Sequence, residues 1–139
     1  MSENMVLVNT GLLIIRLVIG LTFFGHGAQK LFGWFGGPGI TGMGNWLENL
    51  GLQKGAKTWA VLAGLFELIG GLLFAAGFLT WVGAIMIVIV MIDAIATVHG
   101  KNGYWLTNNG FEYNLVLIAT ALGVALIGPG DYVLFFGLK

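Results

Sequence analysis

Four apolar stretches fill most of this chain, and each carries ionisable or strongly polar residues within the stretch or at its edge. A charged side chain at the centre of a bilayer costs at least about 2.5 kcal/mol on insertion scales, so such residues normally face the interior of a helix bundle and indicate functional sites. They are Arg16, His26, Gln29 and Lys30 in the first stretch, Glu67 in the second, Asp93 in the third, and Glu112 and Asn114 at the start of the fourth. The pattern indicates where binding or chemistry takes place without specifying a reaction.

The composition is that of an integral membrane protein. Hydrophobic residues make up 58% of the 139-residue chain and charged residues 9%, whereas an ordinary soluble domain has about 25% charged residues. The four stretches and their connections use the whole chain, so we expect a single domain over residues 1–139. Six Lys and Arg balance six Asp and Glu, so the charge gives no indication of a nucleic-acid partner.

The apolar stretches have the length of membrane spans. About 20 predominantly apolar residues are needed to cross about 30 Å of hydrocarbon. The sequence therefore predicts an all-α integral membrane protein, an antiparallel bundle of four transmembrane helices, near residues 11–31, 58–79, 81–98 and 111–128. Only a short turn near Thr80 separates the second and third helices, so they form a tight hairpin.

Two longer connections, residues 33–57 and 99–110, lie on the same side of the predicted bundle, here called side B. The first connection contains a glycine-rich turn and a short amphipathic stretch at residues 44–50. After the last helix, the apolar segment 132–138 is too short to span the membrane and is expected at the membrane interface. Lysines are more frequent on side B, which by the positive-inside rule places side B in the cytoplasm and both termini outside. We expect the protein in the inner (cytoplasmic) cell membrane.

Helix rise places several of the polar residues in the same half of the membrane. At about 1.5 Å per residue, His26 and Asp93 lie about 8 Å from the side-B ends of their helices, and Glu67 lies about 14 Å from its own. We therefore expect His26, Glu67, Asp93 and Glu112 to line one cavity that opens toward side B.

The remaining cations lie near helix ends. Lys30 and His99 are within a turn of side B and are expected at the cavity entrance, although cations there also favour the helix dipole. Arg16 lies nearer the opposite face, where its long side chain is expected to reach outward, either as an interfacial anchor or as the partner of a buried acid. The alternative role of Glu67 and Asp93 is a buried salt bridge with Arg16 or Lys30, and that of Glu112 is to stabilise the first turn of the fourth helix.

The sequence gives little support for a metal site or for thiol chemistry. Two histidines and three carboxylates could supply ligands, but the Glu-x-x-His repeat of di-metal bundles is absent, so no metal site is predicted. The chain has no cysteine, which excludes a dithiol relay, a thiolate-bound cluster and a Cys nucleophile. If the protein does redox work, its electrons therefore pass through a bound molecule or metal.

Several sequence runs together resemble the DoxX family of small four-helix membrane proteins. They are Arg16 with Gly20, FGHGAQKLFG at residues 24–33, LAGLFELIGG at residues 62–71, His99, NGFEYN at residues 109–114 and GPGD at residues 128–131. The resemblance extends over residues 11–131. It implies a setting in membrane redox processes, since family members include the small membrane subunit of a thiosulfate:quinone oxidoreductase and proteins linked to resistance against quinones and catechols.

Two functions fit this resemblance. In the first, the protein binds the head group of a quinone or related aromatic, with Glu67, Asp93 and His26 handling protons. The remaining ligand contacts would come from Arg16, Lys30, His99, Glu112, Trp34 and Trp105. In the second, it is a non-catalytic membrane anchor or assembly subunit for a soluble oxidoreductase. For both functions we expect contact with the bilayer, a soluble redox partner and a homo-oligomer. A transporter is disfavoured because no inverted repeat is evident.

Overall fold

The computed structural model describes residues 2–52 and 54–139, and this part of the chain is helical without any strand. It contains five α-helices, namely α1 (Glu3–Phe32), α2 (Gly39–Asn49), α3 (Ala56–Ala76), α4 (Thr80–Ala94) and α5 (Glu112–Ile127). Helices α1, α3, α4 and α5 correspond to the four predicted spans. Helix α2 contains the predicted amphipathic stretch and packs against α3, where Gly44 lies against the side chain of Lys57.

Three helical segments of the described chain are long and apolar enough to cross a membrane. They are Glu3–Phe32, Ala56–Ala76 and Thr80–Asn102, the last of which includes the short helical turns that follow α4. Helix α5 is apolar but has only 16 residues, which corresponds to about 24 Å. It is therefore shorter than the roughly 30 Å hydrocarbon layer of a typical bilayer.

Helix α1 begins at Glu3, eight residues before the predicted start at residue 11. The Ser2 side chain caps it by accepting a hydrogen bond from the Met5 amide at 3.3 Å. The added turns are fixed by Asn9, whose Oδ1 accepts from the Asp131 amide at 3.0 Å. The predicted span began at residue 11, whereas in the fold the polar side chain of Asn9 is buried against the C-terminal segment.

Paired glycines hold α1 against α3. An added Cβ at Gly20 would lie 2.6 Å from the Gly71 carbonyl oxygen, and one at Gly27 would lie 2.6 Å from the Gly64 carbonyl oxygen. The glycines of each helix are seven residues apart, which is about two helical turns. These glycines make this side of α3 a packing face, since in a bilayer small residues allow the backbones to approach closely.

The C-terminal segment closes the opposite end of the bundle, here called side A. Helix α3 ends at Gly77, whose φ of 69° is in the left-handed region. The amides of Leu79 and Thr80 donate to the carbonyl oxygens of Leu138 and Lys139, each at 2.7 Å. Because the first amides of a helix have no partner within it, the C-terminal segment caps α4.

The distribution of side chains is the reverse of that in a soluble protein. Buried polar residues occur inside the bundle, and they are Asn9, Arg16, Glu67, Thr80 and Asn114. Large apolar side chains are exposed on the bundle helices, up to 88% for Leu126. Such extensive apolar surface suits contact with lipid.

Candidate functional site

A cavity of about 420 Å³ lies in the side-B half of the bundle, and helix α2 contributes to its wall. This volume is within the roughly 300–1,000 Å³ range of small-molecule sites. Its polar lining residues are His26, Lys30, Glu67, Asp93, Thr97, His99, Tyr113 and Asn114. The structure therefore brings five of the nine predicted site residues, His26, Lys30, Glu67, Asp93 and His99, to one cavity.

The innermost charged group of the cavity is Glu67 on α3. Its side chain is 3% exposed, and its Oε1 accepts a hydrogen bond from the ammonium group of Lys30 on α1, whose side chain is 21% exposed. The second carboxylate oxygen, Oε2, is buried and has no donor among the described residues. An unsatisfied buried polar atom of this kind costs about 1–3 kcal/mol, and more when it is charged.

His26 and Asp93 line the cavity from α1 and α4, but both side chains are exposed. They therefore lie at the rim of the cavity, whereas Glu67 lies at its inner wall. His26 is one helical turn from Lys30 on the same face, and its ring centroid is 6.3 Å from that of Phe23. The two predicted proton-handling residues at the rim thus border the same space as the buried carboxylate.

A π-helical segment, Ile95–His99, forms the cavity wall after α4. The turn is wider than that of an α-helix, because the Gly100 amide donates to the carbonyl oxygen of Ile95, five residues earlier. The segment places Thr97 and His99 in the cavity lining, and Nδ1 of His99 lies 2.9 Å from the Asn109 carbonyl oxygen. Departures of this type in α-helices are frequent at functional sites.

Arg16 lies outside this cavity, near side A, and the expectation that its side chain reaches outward is wrong. The residue is 1% exposed. Its guanidinium donates to the carbonyl oxygens of Pro129, Tyr132 and Ala75 at 2.9 Å each, and to that of Phe74 at 3.3 Å. The last carbonyls of α3 lack helical partners and carry the negative end of the helix dipole, so they bind a buried cation well.

Three other predicted ligand residues also lie outside the cavity lining. Glu112 accepts a hydrogen bond from the Leu106 amide at 3.0 Å and so closes the loop before α5. Trp34 and Trp105 are 51% and 62% exposed, and their rings contact Phe32, Phe35 and Tyr104. The structure does not bring these residues together with Glu67.

Two other tryptophans, Trp46 and Trp59, line the cavity instead, and the sequence reasoning missed them. Trp46 is on α2 together with Met43 and Leu47, at spacings of three and four residues that place them on one helical face. That spacing was a usable signal for the cavity-facing side of α2. Asn114 was noted only as polar, and its Nδ2 lies 3.5 Å from the Met91 sulfur within the cavity wall.

The donor groups of the cavity do not form a metal-binding cluster. In residues 2–52 and 54–139, no group of three or more His, Asp or Glu side chains is arranged to hold a metal ion. The cavity contains the carboxylate of Glu67, which is paired with Lys30. It also has imidazole groups nearer its rim and aromatic side chains in its walls. Such a site suits a small organic ligand with both polar and apolar parts.

These features define the class as a helical membrane protein with a polar, aromatic-walled cavity in one half of its bundle. The chain belongs to the DoxX family, whose model matches residues 11–100. The resemblance inferred from the sequence is thus confirmed, although the runs at residues 109–114 and 128–131 lie beyond the matched region.

Two relatives have a length and identity that support this membership. The Bacillus subtilis (strain 168) protein named "Putative oxidoreductase CatD" is 31% identical over 118 residues, which cover 85% of this chain and 79% of that protein. The Mycobacterium tuberculosis (strain H37Rv) protein named "Uncharacterized membrane protein Rv3486" is 30% identical over 128 residues, covering 85% of this chain and 75% of that protein. No solved structure matches the chain.

Proposed function

We propose that this protein is a four-span component of a redox system in the cytoplasmic membrane, and that its cavity binds the head group of a quinone or a related small aromatic. The observation that carries the proposal is Glu67, which lines the cavity of about 420 Å³ and whose buried Oε2 has no donor among the described residues. Such an atom calls for a polar ligand group. The relative named as an oxidoreductase supports a redox setting.

Each part of the cavity has a role in this proposal. Trp46, Trp59 and Phe23 offer apolar surface to an aromatic ring, and ring pairs contribute about 0.5–1.5 kcal/mol beyond area burial. Lys30 uses one of its three N–H donors on Glu67 and keeps two for a ligand oxygen. Glu67 handles the proton, because a carboxylate within hydrogen-bonding reach is a suitable general base.

The electrons come from or go to another molecule, because the chain has no cysteine and its described residues show no metal cluster. We therefore propose a soluble redox partner on side B, where the rim residues His26, Asp93 and His99 border the cavity. In this scheme, Arg16 and Glu112 stabilise the bundle, and Trp34 and Trp105 anchor side B at the headgroup level, where amphipathic rings prefer to lie.

Calorimetric titration tests the proposal. The purified protein in lipid nanodiscs is titrated with 1,4-naphthoquinone and with its reduced form, and empty nanodiscs correct for partitioning into lipid. We expect saturable binding to one site by at least one of the two forms. Replacement of Trp59 by Ala should weaken that binding at least about fivefold through the loss of ring contact. Trp34→Ala is the matched control, because Trp34 lies outside the cavity lining.

Extraction of the purified protein provides a second measurement. A bound quinone in the organic extract would support the proposal. An empty extract, no saturable binding of either form and a co-purifying soluble oxidoreductase would contradict it and favour the membrane-anchor function.

A further inference from the structure

We propose that the cavity selects its ligand by hydrogen-bond donation, so that it binds the dihydroxy form of the aromatic, a hydroquinone or catechol, more tightly than the dione form. Glu67 Oε2 is the acceptor that makes this selection. The inference rests on the proposed function and adds to it the redox state of the ligand that the site prefers.

The first step is that the two carboxylate oxygens of Glu67 differ in their hydrogen-bond partners. Oε1 is taken by the Lys30 ammonium group, and Oε2 has no donor among the described residues. If the carboxylate is ionised, Oε2 accepts hydrogen bonds. If a proton is shared between Lys30 and Oε1, Oε2 is a carbonyl-like oxygen and still accepts. Because the adjacent ammonium group favours the ionised form of the carboxylate, the proposed site has an acceptor and no donor at this position.

The second step is the match between this acceptor and the ligand oxygen. A hydroxyl group can donate to Oε2 and at the same time accept from a remaining N–H of Lys30. A quinone carbonyl oxygen can accept from Lys30 but leaves Oε2 unpaired. Sites built to hydrogen-bond a substrate hydroxyl discriminate strongly against analogues without it, because the buried protein group is then left unsatisfied.

Oε2 has almost no surface open to water, and the residue as a whole is 2% exposed. In the proposed complex, the Glu67 side chain, which lines the cavity, rotates so that Oε2 accepts a hydrogen bond from the ligand hydroxyl. The dione form gains nothing from that rotation, because it has no donor to offer.

Replacing Glu67 by Gln should reverse the preference. Lys30 has donors only, so it selects the amide oxygen of the new side chain as its partner and turns the amide NH₂ group toward the position of Oε2. The site then offers a donor where the wild-type protein has an acceptor. The dione form gains a hydrogen bond in the variant, whereas the dihydroxy form loses its charged acceptor.

The experiment compares three ligands of the same ring, 1,4-dihydroxynaphthalene, 1,4-naphthoquinone and 1,4-dimethoxynaphthalene. Each is titrated by calorimetry without oxygen into the full-length protein in nanodiscs. We expect the dihydroxy form to bind at least about tenfold more tightly than the other two, which is the effect of one hydrogen bond to a charged group. Glu67→Gln should remove or invert that ratio, and the exposed Glu48→Gln should keep it.

The outcomes separate this inference from the proposed function. Binding of naphthoquinone as tight as or tighter than that of the dihydroxy form in the wild-type protein would overturn the inference and leave the proposed function intact. Failure of all three ligands to bind would overturn both. If Glu67→Gln does not fold, the ratio of dihydroxy to dione binding in the wild-type protein decides alone, because these two ligands have the same heavy atoms and only the dihydroxy form has hydroxyl donors.

Discussion

Gly27 of α1 lies against Gly64 of α3, and each glycine is three residues from one member of the ion pair between Lys30 and Glu67. An added Cβ at Gly27 would lie 2.6 Å from the Gly64 carbonyl oxygen and 2.6 Å from the Leu68 amide nitrogen. Both obstacles are backbone atoms, so they cannot move away without a shift of the whole helix. The close approach of the two backbones thus brings the lysine within reach of the buried carboxylate.

Gly27→Ala is therefore expected to destabilise the protein by about 1–3 kcal/mol, the usual cost of forcing extra atoms into a packed interface. Gly25→Ala is the matched control two residues away, because an added Cβ there meets no atom within 4 Å. The control should be neutral or slightly stabilising, since Ala is a better helix former than Gly. Unfolding in detergent, followed by circular dichroism, measures both, and equal stability of the two variants would refute the packing argument.

Arg16→Lys should cost at least about 2 kcal/mol, because an ammonium group cannot reproduce the four carbonyl contacts of the guanidinium fork. The loss should be visible as a lower thermal midpoint in detergent. Lys101→Met, which removes a cation at an exposed position, is the control and should change stability by less than about 0.5 kcal/mol. An Arg16→Lys protein as stable as wild type would show that the cluster of carbonyls does not hold side A together.

The ion pair can be tested by removing its members singly and together. Lys30→Met should destabilise by about 3–5 kcal/mol, because it leaves a buried carboxylate without its partner. The double variant Lys30→Met with Glu67→Leu should recover most of that loss, since an apolar pair of similar volume is often neutral. Additive losses in the double variant would contradict a direct coupling between the two residues.

The C-terminal segment has a contact that depends on pH. A hydrogen bond from Lys139 at 2.7 Å, with a weaker one from Asn9 at 3.4 Å, holds the pKa of Asp131 below its ordinary value. Because the folded pKa is lowered, the contact stabilises the fold above the ordinary pKa, and this contribution is lost as the pH falls through the lowered value.

Carbon-13 NMR of labelled aspartate measures this shift directly, since the chain has two aspartates, Asp93 and Asp131. The Asp131 signal, assigned with Asp93→Asn, should titrate below the ordinary range. Lys139→Met should move its pKa back up. A pKa that does not respond to Lys139→Met would rule out the proposed cause.

The proposed topology places side A and side B on opposite faces of the membrane. A single cysteine at Ser2 or at Gly137 should react with an impermeant thiol reagent from one face, and a cysteine at Asn49 from the other. The absence of native cysteines removes any background. Reaction of Ser2→Cys and Gly137→Cys from opposite faces would exclude four spans, because an even number of crossings returns both ends to the same side.

Much of the axial arrangement was predictable. Hydropathy and helix rise were sufficient to place His26, Glu67 and Asp93 in one half of the bundle. The early start of α1 was not predictable, because Asn9 is polar and its partner Asp131 is 122 positions away in the chain.

The sequence by itself determined that the four apolar stretches are helices, which class of protein the chain belongs to, and that His26, Glu67 and Asp93 lie in the same half of the bundle. The tertiary structure alone decided that Lys30, and not Arg16, pairs with Glu67, and that Trp46 and Trp59 line the cavity in place of Trp34 and Trp105. It also decided that Oε2 of Glu67 has no donor within residues 2–52 and 54–139. The physical reason is that periodicity and rise fix a residue's position along its own helix. The rotation of one helix against another is set by close contacts such as Gly27 on Gly64, which bring together residues far apart in the chain.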